Sequence, residues 1–179
     1  MKNIKIIKII ICIMLFFTSF ICHFVYDWCP NIITSIFFPV NESIWEHMKI
    51  IYTSICICSV IEYYIYKFNK VKVNNYIINV PIISIIGIVI YLTIYLAIDL
   101  FIPHNLIISI TLLFLIFILC EILSYYILQS PIIKHQKLVG IILILLSYFI
   151  FAVLTFYPPH NYLFLDTTNN TYGINIKRN

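Results

Sequence analysis

Tyr76-Ile-Ile-Asn-Val-Pro-Ile-Ile-Ser-Ile-Ile-Gly-Ile-Val-Ile-Tyr-Leu-Thr-Ile-Tyr-Leu-Ala-Ile-Asp-Leu100 holds a single charged residue, Asp99, next to its far end. A helix needs about 20 consecutive apolar residues to cross the hydrocarbon of a bilayer, and lipid tolerates only backbones that satisfy their own polar groups. The stretch therefore reads as a membrane-crossing helix. Four further runs read the same way, at about 9–26, 43–66, 105–129 and 138–157, leaving a polar tail over 158–179. The expected fold is all-α: a polytopic bundle of about five spans, with Pro81 in an early turn of its helix and Pro103 and Pro158-Pro159 at breaks.

Composition agrees. The 179 residues are 63% hydrophobic and 10% charged, with a mean hydropathy of +1.03. Soluble domains carry about 25% charged residues. The net charge of +4 points to no nucleic acid, because the basic residues flank apolar runs. Lys2, Lys5, Lys8, Lys67, Lys70, Lys72, Lys134 and Lys137 all fall on one side of a five-span chain, against Lys49, Lys177 and Arg178 on the other. Lysine bias in short connections sets orientation, so the N-terminus is expected inside and the C-terminus, with its tail, outside. The first run is longer than a signal-peptide core and lacks a small-x-small cleavage site, so it reads as a retained span.

The densest chemistry is Pro39-Val-Asn-Glu-Ser-Ile-Trp-Glu-His-Met-Lys49. A helix starting near Asn41 or Ser43 would set Glu42 over Glu46 and Ser43 over His47. Two carboxylates so placed repel, so one keeps its proton or a cation sits between them. Ser43 and Glu46 also fit a capping box, in which Glu46 returns to the Ser43 amide. No capping rule requires His47.

Threading the expected topology gathers His23, Asp27, Asn41, Glu42, Glu46, His47, Asp99, Pro103-His104-Asn105 and Pro159-His160-Asn161 at the outer face. Ionisable groups beside hydrocarbon are costly unless they face a cavity, pair or bind an ion. Imidazoles with carboxylates suit zinc or a related divalent metal, for which His47, His104 and His160 are the candidate ligands, with Glu46 and His47 as candidate catalytic groups. Interfacial, solvated histidines and a metal-free acid/base or binding site are the alternatives. On the inner half, Glu62 is close enough to Lys67 to reach the interface, whereas Glu121 is deeper and needs a donor or a proton. Five of the six cysteines lie in apolar runs as small hydrophobes, and Cys29 could pair with Cys22 only in an oxidising compartment.

Phe38-Pro-Val-Asn-Glu-Ser-Ile-Trp-Glu-His-Met-Lys49, Glu62-Tyr63-Tyr64, and the tail from Pro158-Pro159-His160 through Leu163-Phe164-Leu165-Asp166 to Tyr172-Gly173-Ile174 resemble domain-of-unknown-function family 6512, small bacterial polytopic membrane proteins. Thr167 and Asn170 stand where that pattern has Pro and Gly. The resemblance implies a bacterial cytoplasmic-membrane location and brings no activity or site residues.

Two functions fit. One is a non-enzymatic protein that binds or conducts a small solute, or assists a membrane partner or a second copy of itself, through the outer polar cluster. The other is a metal-dependent intramembrane hydrolase or transferase acting on a lipid-like substrate at the outer leaflet, with Glu46 as general base.

Overall fold

The computed structural model describes residues 2–102 and 105–174, so the expectations for Pro103, His104, Lys177 and Arg178 lie outside the described residues. In order come α1 (Lys2–Trp28), α2 (Ile32–Phe37), α3 (Ile44–Phe68), α4 (Tyr76–Asp99), α5 (Leu106–Gln129) and α6 (Gln136–Phe156). A 3-10 turn over Tyr162–Phe164 and a two-stranded ribbon follow, β1 (Leu165–Asp166) pairing antiparallel with β2 (Thr171–Tyr172). Five of the helices, all but α2, are long and apolar enough to cross a membrane. The expected five-span bundle is what the chain forms.

Side-chain caps set several helix starts. Asn31 accepts from the Thr34 amide at 3.0 Å while its own amide donates to Thr34 Oγ1, so six residues too short to be stable alone open as α2. Asn105 accepts from Ile107 and Ile108 at the head of α5. Ser43 caps α3 through Oγ, which accepts from the Glu46 amide at 3.3 Å. The capping box expected at Ser43 is only half made: the Ser43 amide donates to Asn41 Oδ1, and the Glu46 carboxylate goes elsewhere. Because the helix begins at Ile44, Glu42 lies outside it and does not stack over Glu46.

Neighbouring helices run antiparallel through short connections, so the ends of α1, α4 and α6 share one end of the bundle with the starts of α3 and α5. At the opposite end Asn75, in left-handed backbone with φ 54°, ties two connections together. Its side chain donates to Ser130 Oγ and the Pro131 carbonyl and accepts from the Ile133 amide.

The packed centre lies along α3, where Met48, Tyr52 and Cys58 are fully buried, Tyr52 with its ring edge to face against Tyr148 and Phe151 of α6. Two glycines make the closest crossings. A Cβ at Gly87 on α4 would stand 2.7 Å from Cys120 Sγ on α5, and one at Gly140 on α6 would stand 2.8 Å from the Ile77 carbonyl oxygen on α4. Although the chain has only three glycines, two of them allow the close approaches that membrane helices need. Outward faces of α1 and α6 stay apolar, with Ile9, Phe17, Leu145 and Phe149 exposed. That is the pattern of a surface solvated by lipid.

The tail folds back onto this end of the bundle. Phe164 packs 5.1 Å from the Trp45 ring, and Asn41 Nδ2 donates to the Gly173 carbonyl at 2.9 Å. Asn170 adopts left-handed backbone at φ 53°, a conformation asparagine tolerates. Gly173 has φ 64° and lies so close to Thr155 O that a Cβ would stand 2.9 Å away.

Candidate functional site

Three segments bring ionisable groups together at the tail end of the bundle: the last turns of α1, the 38–43 connection and the first turn of α3. His47 is oriented first. Its Nδ1 lies 2.8 Å from the Ser43 carbonyl, which can only accept, so Nδ1 carries the hydrogen and Nε2 presents a lone pair when the ring is neutral. Glu42 Oε2 lies 3.3 Å from that Nε2, and Glu42 Oε1 lies 3.9 Å from His23 Nε2. The two imidazoles meet edge to face, with centroids 5.2 Å apart, and Phe24 stacks on His23. One ligand atom from each of His23, Glu42 and His47 falls within 4.8 Å of the others.

Those separations bear on metal chemistry. Zinc bonds of about 2.0–2.1 Å in a tetrahedron set neighbouring ligand atoms about 3.4 Å apart. The His47–Glu42 contact already matches, while the other separations, up to 4.8 Å when each residue offers one atom, must shorten by about an ångström as the side chains close on a metal. The Ser43 carbonyl serves as the outer partner that metal-binding histidines generally use to fix their tautomer. Without a metal, the same geometry makes a histidinium–carboxylate contact.

The cluster forms part of the wall of a cavity of about 380 Å³. Phe20 and Phe24 of α1, Met48 of α3, Tyr91 and Tyr95 of α4 and Leu113 of α5 are among its apolar lining, and Tyr162 and Thr167 reach it from the tail. Its size and character are those of small-molecule sites, which are mostly apolar with a few placed polar groups.

Several residues singled out from sequence sit apart from this cluster. Glu46 is buried and fully engaged: Oε2 accepts from Lys49 Nζ at 2.7 Å and from the Val40 amide at 3.0 Å, and Oε1 accepts from Thr155 Oγ1 at 2.7 Å. Lys49 is itself completely buried and also donates to the Ser35 carbonyl, so it is no flanking charge. This pair clamps α2, the 38–43 connection and α6 to α3, and it leaves Glu46 no open valence for proton transfer. His160 stacks on Tyr172 with centroids 4.4 Å apart and, among the described residues, joins no metal-competent group. Asp99 accepts a hydrogen bond from the Tyr162 hydroxyl, which together with partial burial pushes the Tyr162 ionisation up to about 12. Cys22 and Cys29 are free thiols, one buried and one exposed.

The inner acids form a second, separate cluster. Lys8 Nζ is 2.6 Å from Glu62 Oε1 and 3.1 Å from Glu121 Oε2, and it donates to Ser124 Oγ at 2.5 Å. Neither Glu62 nor Lys8 reaches the interface, because α1 begins at Lys2 and carries Lys8 into the bundle. Sequence treated Lys8 as a flank and Glu62 as interfacial. The signal that separates them from true flanks is position, since both lie about a turn and a half inside their helix ends.

No curated protein and no solved structure matches the chain. A family profile does, over residues 1–174: the family of unknown function DUF6512. Since that match covers nearly the whole chain, including the Asn41-Glu42-Ser43 connection and the folded tail, the protein belongs to family DUF6512.

Proposed function

We propose that this protein is a solute-binding membrane protein whose tail-end cavity holds a small amphipathic molecule, with a divalent metal of the zinc class at His23, Glu42 and His47 gripping the molecule's polar end. One observation carries the reading: three separated segments bring two imidazole nitrogens and a carboxylate oxygen within 4.8 Å of one another on the wall of a largely apolar cavity. Three protein ligands leave a coordination position for the solute. The cavity walls then take the apolar remainder, as in other concave sites.

The same open position is what a metal hydrolase needs, so hydrolysis or group transfer on a lipid-like substrate is the second reading. It lacks its expected base, because Glu46 is committed to Lys49, Thr155 and Val40. Sidedness belongs to the proposal as well. With Lys8 buried, seven lysines still stand at the end opposite the cavity, Lys2, Lys5, Lys67, Lys70, Lys72, Lys134 and Lys137. That bias supports a cavity facing away from the cytoplasm of a bacterial cell membrane.

Equilibrium dialysis against zinc tests the reading in purified protein. One metal per chain is expected, with at least about tenfold weaker binding in His47→Ala and in His23→Ala. Stoichiometric binding that neither substitution weakens would overturn it. Chelator-sensitive cleavage of a lipid ester or amide by the loaded protein would favour the hydrolase.

A further inference from the structure

Deep in the half of the bundle away from the cavity, Lys8 is, among the described residues, the only fixed cation beside two buried carboxylates, Glu62 and Glu121. The charge count is therefore short by one positive charge. Such an excess is not stable in a low-dielectric interior, so something positive must complete it.

The hydrogen-bond count is short in the same place. Glu62 is supplied with a donor: Oε1 accepts from the Tyr66 hydroxyl at 2.8 Å and pairs with Lys8 at 2.6 Å, while the Tyr76 hydroxyl, 3.4 Å from Oε2, gives its proton to the Ser59 carbonyl. Glu121 is not. Lys8 stands 3.1 Å from its Oε2 but off the direction a hydrogen bond requires, so that oxygen has a Coulombic neighbour and no donor. Asn79, 98% buried, spends its Nδ2 on Ser124 Oγ at 2.8 Å and leaves Oδ1 without a donor. Both Glu121 and Asn79 line one void of about 10 Å³, close to the size of a single water molecule. One missing positive charge and two missing donors at one void are what a bound proton would supply.

We propose that this cluster is a one-proton binding site, with the proton on Glu121 and Glu62 kept ionised by Lys8 and Tyr66. The ligand is a hydron taken from the solution at the lysine-rich end. The Glu121 carboxylate gains it to become a carboxylic acid and returns it on release, with no electron transfer. Protonated Glu121 donates across the void, directly or through one water, to Asn79 Oδ1. The titratable groups facing the site are Lys8 and Cys12 from α1, Cys58, Glu62 and Tyr66 from α3, Tyr76 from α4, and Cys120 from α5 beside Glu121 itself. Lining residues of the void come from α1, α3, α4 and α5, and none from α6.

Infrared spectroscopy of the full chain in phosphatidylcholine vesicles reads the proton directly, because a protonated carboxyl absorbs apart from carboxylates. Wild type is expected to show one buried acid band at neutral pH, which disappears on raising the pH. Glu121→Gln should abolish it, and so should Glu62→Gln, since either change balances the charge. Lys8→Met, leaving two acids and no cation, should double it. Helical content by circular dichroism checks that each variant is folded, and the wild-type band stands as a test should a variant fail. A wild type with no acid band at neutral pH, or a band undiminished in folded Glu121→Gln, overturns the proposal. Loss of the band on replacing potassium with sodium at constant pH overturns it in favour of a sodium site.

Discussion

Replacing Lys49 with Met removes a charge from a place that water does not reach, while an unbranched apolar chain keeps the stem's volume. Lys49 is 0% exposed, and its ammonium lies 2.7 Å from Glu46 Oε2 and 2.7 Å from the Ser35 carbonyl. Removing one partner of such a pair leaves the other as an uncompensated buried charge, at about 3–5 kcal/mol. The orphaned Ser35 carbonyl falls inside that range, because α2 can loosen and rewet it. Glu46→Gln should cost a similar amount, since it strands the ammonium. The double variant removes both charges, so its loss should fall short of the sum by roughly 2 kcal/mol, within the usual span for contacting residues. Reversible unfolding in mixed micelles, followed by circular dichroism against increasing dodecyl sulfate fraction, measures all four proteins. Single costs below about 1 kcal/mol with additive behaviour would refute the reasoning, for the pair would then be solvated, as exposed pairs of that strength are. Glu46 would return as a candidate base.

Gly140→Ala should destabilise by about 1–3 kcal/mol, read in the same assay, because the added methyl meets the α4 backbone rather than a side chain that can move. Tyr162 donates to Asp99 only while neutral, so the folded state holds its ionisation up to about 12. The sign follows: the contact stabilises below the ordinary tyrosine value of about 10 and is lost as pH rises through about 12. The ultraviolet titration difference between wild type and Tyr162→Phe should show one phenol ionising at the alkaline end; a difference midpoint near 10 would contradict it. A reporter that fluoresces only in the cytoplasm should stay dark when fused after Asn179 and shine when inserted at Asn69. The reverse pattern would turn the bundle over.

Apolar length alone made the five spans legible, because a membrane helix has one requirement that composition states outright. Their ends were harder. Trp28 and Phe68 extend α1 and α3 by two residues beyond the expected stops, since interfacial aromatic residues continue a helix as readily as lipid-facing ones do. Helix α2 was missed, being short and held by Lys49 and the Asn31 capping box rather than by its own propensity. At the site, the Asn41–His47 stretch was recognised as chemical, but its internal pairing was not. One residue of helix phase decided it: with Ser43 as cap, Glu42 swings to His23 and His47, and Glu46 turns inward to Lys49. Contacts between residues as distant in sequence as Lys8 and Glu121, or Glu46 and Thr155, leave no periodic trace, so no spacing argument could have found them.

Cobalt substitution tests the central claim most directly, since Co²⁺ in a low-coordinate site of nitrogen and oxygen ligands gives visible d–d bands that report its ligands. The account expects those bands in wild type and in His160→Ala, with their loss in His23→Ala and His47→Ala and a shifted spectrum in Glu42→Gln. Bands that survive in His23→Ala and vanish in His160→Ala would contradict it, and would place any metal on a different set of histidines.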